Sequence, residues 1–169
     1  MRKVLIIDTS ILCVWLKVPG MDSCGPDLAR WDKQRVDLKI QDESQSNTTF
    51  VLPLATIIET GNHIAQSPHS RRERGQDLAD LMIKSADQET PWAAFSDQSV
   101  LWSPEQIKLL ATTWPDLALQ SLSLGDSTIK DVAEYYAGMG YKVEILTGDH
   151  GLKAYEPSAP LEIPRRRQR

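Results

Sequence analysis

Four acidic residues stand at the ends of predicted strands or in the early turns of predicted helices: Asp8, Glu59, Asp126 and Asp149. Asp8 and Asp149 follow apolar runs that predict buried strands, and the carboxyl ends of parallel strands meet on one rim of a sheet. Asp126 opens a predicted helix, and such a helix begins on the same rim. Glu59 lies on the helix after a third strand, within about two turns of its start. We therefore expect the four side chains to lie close together.

Negative side chains gathered on one rim repel one another unless a cation lies between them. Two unit charges about 4 Å apart interact by about 4 kcal/mol at an effective dielectric constant near 20. A hard divalent ion with oxygen ligands removes that repulsion, and Mg²⁺ or Mn²⁺ suits a carboxylate-only site better than zinc does. The sequence therefore predicts a site for Mg²⁺ or Mn²⁺ formed by these four acids.

Each acid alone also fits an ordinary structural role. Asp126 has the type and position of a helix N-cap. Asp149 lies near two glycines, as turn residues do, and a glutamate such as Glu59 is usually solvated on a helix surface. Asp8 fits such a role least, because a carboxylate directly after four buried aliphatic residues is partly desolvated and needs a partner.

The elements that position these acids alternate between strand and helix. Strands are predicted at 4–7, 50–53 and 141–146, and helices at 11–17, 27–43, 54–66, 70–88, from 104 onward and at 126–137. Segment 90–102 is expected to be a loop or a short edge element. The alternation predicts a three-layer α/β domain with a mainly parallel central sheet. The residues expected to face the core from the helices at 27–43 and 70–88 are Leu28, Trp31, Val36, Leu38, Ile40, Leu78, Leu81 and Met82.

Length and composition set the class of protein. The 169 residues fit one domain, and 41% hydrophobic with 25% charged residues is typical of globular chains. A net charge of -4 argues against a surface that binds polyanions over its whole area. We expect one domain over residues 1–155, followed by a tail over 156–169 that is rich in proline and arginine.

The amino-terminal region and the cysteines indicate a cytoplasmic protein. Cys13 and Cys24 have no further ligands at metal-site spacing, which predicts neither a zinc site nor a disulfide framework. Asp8 interrupts the first apolar run, unlike a signal peptide, and no stretch is long enough to span a membrane. Arg2 and Lys3 are expected to be a solvated lead-in to the first strand.

Short motifs around the four acids occur in an order that resembles a known family. They read VLIIDTSIL around Asp8, IIE ending at Glu59, GDSTI around Asp126 and ILTGD ending at Asp149. In this order and context they resemble the PIN domain family, named for the PilT N-terminus, over residues 3–152. Members are typically Mg²⁺- or Mn²⁺-dependent ribonucleases, many of them toxins of bacterial toxin–antitoxin pairs. Segments 19–47 and 90–103 are longer than a compact toxin needs, which weighs against the toxin role more than the nuclease role.

The resemblance implies a PIN-like fold and a metal-dependent endoribonuclease that hydrolyses RNA, with the four acids as catalytic metal ligands. Ser10 and Thr147 would be hydroxyls beside the site, and Asn62 lies three residues after Glu59 on the same helix face. The resemblance is also compatible with an antitoxin or another protein regulator as partner, and with a homodimer.

Substrate would be held by cations on its phosphates. The available groups are Arg71, Arg72 and Arg74 in the first turn of one helix, and the tail arginines Arg165, Arg166, Arg167 and Arg169. Solvated surface is the alternative role for each group. Trp92, Trp102 and Trp114 could stack on bases, or they could pack in the core or against a partner.

Two other enzyme classes also place an Asp at the end of an apolar strand. A phosphotransferase of the haloacid dehalogenase type requires a second Asp two residues later, where this chain has Ser10. A response-regulator receiver requires acids before the strand-end Asp and a Lys after a later strand, and neither is present. A non-catalytic PIN-like binding module and a DNA or structure-specific nuclease both remain open.

Overall fold

The structure, a computed structural model, describes residues 1–159. The strands are β1 (Lys3–Ile7), β2 (Ser23–Cys24), β3 (Trp31–Asp32), β4 (Thr49–Val51) and β5 (Lys142–Leu146). The α-helices are α1 (Thr9–Trp15), α2 (Lys33–Gln45), α3 (Leu54–Gln66), α4 (Arg71–Ala86), α5 (Pro104–Leu119), α6 (Leu124–Gly138) and α7 (His150–Lys153). Two 3-10 helices span Asp27–Ala29 and Phe95–Trp102. The predicted tail arginines, from Arg165 to Arg169, lie outside the described residues.

The main sheet has three parallel strands in the order β4-β1-β5. Its register pairs Leu5 of β1 with Phe50 of β4 on one side and with Glu144 of β5 on the other. Strands β2 and β3 form a separate antiparallel pair. The predicted mixed α/β class and the parallel pairing of the three long apolar runs are confirmed.

Helices flank this sheet because β1 is apolar on both faces. Val4 and Ile6 pack in one hydrophobic cluster, which includes Ile129 of α6. Leu5 and Ile7 point the other way, into a second cluster with residues of α1 to α4. These four β1 side chains are fully buried, as expected for a strand covered on both faces. Within residues 1–159, no helix is both long enough and apolar enough to cross a bilayer.

Both outer strands of the sheet have partners on their free edges. At β5, Ile145 donates its N–H to Glu156 Oε2 at 2.7 Å, and its carbonyl accepts from Lys153 Nζ at 2.9 Å. Lys153 and Glu156 also form an ion pair of 2.5 Å. At β4, Phe50 exchanges two backbone hydrogen bonds of 2.8 Å with the segment 91–93. One residue on each outer strand, Ile145 on β5 and Phe50 on β4, therefore has its outward backbone groups paired within the chain.

Two lysines and two glutamates join α2 to the sheet near the amino end of β1, and we call them the paired cluster: Lys3, Lys39, Glu43 and Glu144. Lys3 bridges Glu43 and Glu144, the latter at 2.6 Å. Lys39 lies 2.6 Å from Glu43 and 2.9 Å from Glu144. The expectation that Lys3 is merely solvated is wrong, because acids on α2 and β5 converge on it.

Hydrogen bonding decides the charge state of the paired cluster. Burial alone raises the pKa of Glu43, but hydrogen bonds from the two lysines and from Thr48, at 2.6 Å, outweigh it and lower the pKa to about 2. Burial also opposes the charge of Glu144, yet the same lysines lower its pKa. Both glutamates are therefore ionised at neutral pH, and the cluster is charge-balanced.

The predicted helix over 27–43 is wrong in its first six residues. Asp32 accepts a hydrogen bond of 2.8 Å from Arg35 N and so caps α2, which begins only at Lys33. An N-cap of this kind satisfies backbone donors that would otherwise be unpaired and fixes where a helix starts. Leu28 lies before that cap, in the first 3-10 helix, and is fully exposed rather than in the core.

Two further residues expected in the core are exposed, Leu38 of α2 and Met82 of α4. Val36 of α2 is buried, and a residue two positions away on a helix points toward the opposite side. In α4, Leu78 and Leu81 face the first hydrophobic cluster, which leaves Met82 beside that face. The remaining predicted helices match the observed ones to within a few residues.

Candidate acidic site

The strand ends place two of the predicted acids next to each other. Asp8 directly follows β1 and donates its backbone N–H to the carbonyl of Leu146, the last residue of β5, at 3.1 Å. Asp149 follows three residues after that carbonyl. Asp126 lies in the first turn of α6, and Glu59 lies on α3, the helix after β4. We call Asp8, Glu59, Asp126 and Asp149 the acidic cluster.

Asp8 is held by two hydroxyls at a single oxygen. Ser10 Oγ and Thr147 Oγ1 each donate to Asp8 Oδ2 at 2.7 Å. Oδ1 accepts no hydrogen bond from any residue between 1 and 159, although the side chain is only 4% exposed. The structure thus brings the predicted hydroxyls Ser10 and Thr147 into contact with Asp8 and leaves one carboxylate oxygen without a protein donor.

The same hydroxyls tie together the loops that follow β1 and β5. Ser10 Oγ accepts from Gly148 N at 3.0 Å, and Thr147 Oγ1 accepts from Asp149 N at 2.9 Å. The Asp149 carboxylate in turn accepts from Gly151 N at 2.7 Å and caps the short helix α7. Asp149 therefore has the structural role that its neighbouring glycines indicate, and it is exposed on the same rim as Asp8.

Glu59 is positioned by a hydroxyl and by a glycine. Thr9 Oγ1 donates to Glu59 Oε2 at 2.9 Å, which links α1 to α3. Gly125 of α6 packs directly against the Glu59 carboxylate, and a Cβ at this position would collide with Oε1. Sequence reasoning missed both Thr9 and the contact of Gly125. The sequence feature that could have indicated this contact is the glycine immediately before Asp126, because glycine is common where the backbone lies close to another group as well as in turns.

Asp126 is not the N-cap of α6. Ser123 holds that position and accepts a hydrogen bond of 3.0 Å from Asp126 N. Burial raises the pKa of Asp126 from its usual 3.8 to about 6, against the hydrogen bond with Ser123. The negative charges of Asp8, Asp149 and Glu59 contribute to the same rise. Asp126 therefore lies in the electrostatic field of the other three carboxylates.

Protein cations do not neutralise this field in the described part of the chain. None of the salt bridges within residues 1–159 involves a member of the acidic cluster. In the same residues, no three Asp, Glu, His or Cys side chains converge closely enough to coordinate one ion. The carboxylates can influence the pKa of Asp126 without forming a ligand cluster, because charges interact over longer distances than coordination allows. Coordination needs oxygens roughly 2.0–2.6 Å from the ion. The donor set fits a hard cation, but the ligands are not preassembled.

The other predicted contact residues, Asn62 and three arginines of α4, make no hydrogen bond or salt bridge to the acidic cluster within residues 1–159. Asn62 is exposed on α3, and among the described residues its side chain makes no hydrogen bond to the acidic cluster. Arg71 Nε donates to the carbonyl of Ser67 at 2.5 Å, and Arg72 is exposed. Arg74 is largely buried. Its guanidinium donates to Leu16 O at 2.8 Å and pairs with Glu73 and Asp77, so it joins α4 to the end of α1.

The three tryptophans considered for stacking differ in their surroundings. Trp92 is only 7% exposed and stacks on Trp15 at a ring distance of 6.4 Å within the core. Trp114 donates its indole N–H to Leu122 O at 3.2 Å. Trp102 is 38% exposed and lines a pocket of about 260 Å³ beside Glu59. Only Trp102 of these three borders the acidic cluster.

The cysteines are both free thiols. Burial raises the pKa of Cys13 to about 11 and also raises the pKa of Cys24. Both thiols are therefore protonated at neutral pH, whereas nucleophilic and metal-ligating cysteines are thiolates. The chemistry of this rim is accordingly the chemistry of carboxylates and hydroxyls.

Comparison of the chain with protein families, curated proteins and solved structures gave no match. The resemblance to the PIN domain family therefore rests on the order of the sequence motifs alone. The geometry of the acidic cluster provides separate grounds for a functional proposal.

Proposed function

We propose that the protein is a Mg²⁺- or Mn²⁺-dependent endoribonuclease of PIN-like three-layer architecture, with the acidic cluster as its catalytic centre. The observation that carries this proposal is the state of Asp8. Its carboxylate is nearly buried, two hydroxyls fix one oxygen, and the other oxygen has no donor in residues 1–159. Oδ1 is not among the buried side-chain atoms that lack a partner in these residues, so it is accessible to solvent and available to a ligand. A divalent cation is the partner that a set of carboxylate oxygens favours.

The residues of the cluster would hold the cation in different ways. Asp8 Oδ1 would be the central ligand, and Asp126 and Asp149 would bind directly or through water. Mg²⁺ usually retains several waters and takes only one or two carboxylates, so the ligand set need not be preassembled. Ser10 and Thr147 keep the Asp8 carboxylate in one orientation, as hydrogen-bonding partners of ligands commonly do.

The chemistry that fits this arrangement is hydrolysis of a phosphodiester. When bound, the ion supplies relief of negative charge on the phosphoryl oxygens and makes water a stronger acid. Glu59, which Thr9 holds in place, either binds the ion or orients the attacking water as a base. In-line attack on phosphorus would release a 5′-phosphate and a 3′-hydroxyl end. RNA is the substrate that the resemblance to the PIN domain family implies.

The proposal is tested with the full-length chain and with single-stranded RNA, single-stranded DNA and both duplexes, side by side. We expect cleavage of RNA with Mn²⁺ or Mg²⁺ and none with EDTA. Asp8→Asn should lower the rate by more than roughly 100-fold, because loss of a direct ligand exceeds the usual cost of losing its hydrogen-bonding partner. Asp42→Asn, at an exposed site on α2, is the matched control and should cleave normally.

Three outcomes would contradict the proposal. Equal cleavage by Asp8→Asn would place the activity elsewhere or in a contaminant. Preferential cleavage of DNA would keep the catalytic centre but change the substrate. Metal-independent binding of RNA without any cleavage would indicate a non-catalytic binding module.

A further inference from the structure

An apolar pocket of about 260 Å³ opens beside the acidic cluster. Residues of α3, α5 and α6 and the end of the second 3-10 helix form it. Glu59 and Gly125 belong both to its lining and to the acidic site. The other walls are apolar: Leu54, Ala55, Ile58, Trp102, Leu110 and Leu124.

Several of these apolar walls face solvent. Ile58 is 54% exposed, Leu124 is 47% exposed and Trp102 is 38% exposed. Ligand pockets are concave and lined mainly by apolar and aromatic side chains, as this pocket is. Thr128 adds the only hydroxyl, and its hydrogen is directed to Gly125 O at 2.7 Å. The pocket therefore favours a ligand that packs through flat apolar faces over one that needs hydrogen-bond donors.

The position and size of the pocket limit its occupant. Because Glu59 lines the pocket, a molecule with one group bound here can place a neighbouring group at the acidic cluster. A volume of about 260 Å³ is below the range of roughly 300–1,000 Å³ that drug-sized ligands need. An amphipathic helix would need a groove with several successive anchor sites. One planar ring system fits the space better.

We propose that this pocket holds one nucleobase of the single-stranded RNA, stacked on the indole of Trp102, while the adjacent phosphodiester lies at the acidic cluster. This inference rests on the proposed function, which identifies the substrate. Stacking on an aromatic side chain tolerates every base, because every base has a π face. The enzyme should therefore discriminate little among bases at this position.

The test separates binding from cleavage in the full-length protein. Parent, Trp102→Ala, Trp102→Phe and Leu119→Ala are compared, since Leu119 is an exposed apolar residue of α5 that does not line the pocket. Binding of a fluorescent single-stranded RNA dodecamer is measured by anisotropy with Ca²⁺ in place of Mn²⁺, so that the acidic cluster does not repel the phosphates, and KM and kcat are measured with Mn²⁺. Light scattering gives the mass of each variant.

Trp102→Ala should raise the dissociation constant roughly 5- to 150-fold, the range for losing one stacked base. We expect Trp102→Phe to restore most of the binding, Leu119→Ala to bind like the parent, and KM to change more than kcat. Unchanged binding by Trp102→Ala, with Mn²⁺-dependent cleavage intact, would overturn the pocket assignment and leave the proposed function standing. A change of mass in Trp102→Ala would also overturn it, in favour of a protein interface. Trp102-dependent binding without cleavage would support the pocket and overturn the nuclease.

Discussion

The paired cluster and the acidic cluster occupy the two ends of β1, and both contain partly buried carboxylates. In the paired cluster, Glu43 and Glu144 are matched by two lysines at distances that include 2.6 and 2.9 Å. In the acidic cluster, four carboxylates share a field, and no salt bridge from residues 1–159 reaches them. Lysines thus neutralise the carboxylate charges at one end of β1, whereas no lysine or arginine of residues 1–159 pairs with those at the other end.

This difference separates a structural role from the functional role that we propose for the acidic cluster. The paired cluster joins α2 to β1 and β5, so its charges contribute to the fold. The acidic cluster destabilises the metal-free protein, because burial and like charges raise the pKa of Asp126. Uncompensated charge of this kind persists at sites that function selects.

The largest expected effect on stability comes from removing one acid of the paired cluster. Glu43→Ala leaves Lys3 and Lys39 without one of their two partners. We expect it to lower the free energy of unfolding by about 3 kcal/mol, the lower end of the range for a broken buried pair, because the lysines are partly exposed. Urea denaturation measures this loss, and cleavage per folded molecule should not change.

The control for this prediction is Glu134→Ala on α6, which removes a partner of Lys130 at 2.7 Å whose side chain is 57% exposed, against 5% for Glu43. An ion pair with a solvent-exposed carboxylate contributes at most about 1 kcal/mol. Equal losses for Glu43→Ala and Glu134→Ala would mean that burial does not distinguish the paired cluster.

A divalent cation should stabilise the protein through the acidic cluster, at the carboxyl end of β1, and not through the paired cluster. Mn²⁺ at about 100 times its dissociation constant should raise the free energy of unfolding by about 2.7 kcal/mol. Thermal unfolding against Mn²⁺ concentration measures the gain. We expect Glu43→Ala to keep it and Asp8→Asn to lose it. The same gain in Asp8→Asn would show that Mn²⁺ binds outside the acidic cluster.

The two clusters should also give opposite dependences of stability on pH in the metal-free protein. The pKa of Glu43 is lowered from 4.5 to about 2, so its stabilising contribution is complete above pH 4.5 and is lost as the pH falls toward 2. The pKa of Asp126 is raised from 3.8 to about 6, so its penalty is complete above pH 6 and disappears toward pH 3.8. Stability in EDTA should therefore rise as the pH is lowered from neutrality to about 5, and fall below about 4.

Thermal unfolding in EDTA across this range of pH tests both parts of the profile. Asp126→Asn should remove the rise and keep the fall, whereas Glu43→Gln should weaken the fall. If Asp126→Asn reproduced the parent profile, the acidic cluster would not be the source of the rise.

The smallest expected effect comes from a single methyl group at the border of the acidic cluster. Gly125→Ala places a Cβ where the Glu59 carboxylate now lies, so Glu59 must turn away. We expect cleavage to fall roughly 10-fold, as when a supporting contact of a metal site is lost, with little change in stability. Gly138→Ala in the same helix meets no atom within 4 Å and is the matched control. Equal activity of the two variants would exclude a functional role for the Gly125 contact.

Sequence reasoning succeeded where local pattern determines structure. The run Val4 to Ile7 can be buried on both faces only in the middle of a flanked sheet, and it forms the central strand. Strand ends then place Asp8 and the loop of Asp149 on one rim without further information. The helix over 54–66 was also predictable, because its apolar positions and its start after Pro53 are local features.

Other features depend on packing between distant segments and could not be predicted. The contact between Gly125 and Glu59 exists because α6 approaches α3, and no local pattern encodes that approach. Lys3 pairs with Glu43 and Glu144 only after α2 and β5 have met at β1. Leu28 failed as a core residue for a local reason that was overlooked, since the Asp32 cap moves the helix start beyond it.

The closed borders of the main sheet affect how the chain behaves among other copies of itself. Lys153 and Glu156 occupy the hydrogen-bonding positions that a foreign strand would use at Ile145, and the segment 91–93 does so at Phe50. Growth of the sheet from one molecule into the next must first displace these groups. These contacts therefore oppose the pairing of a second copy's strand at Ile145 and at Phe50.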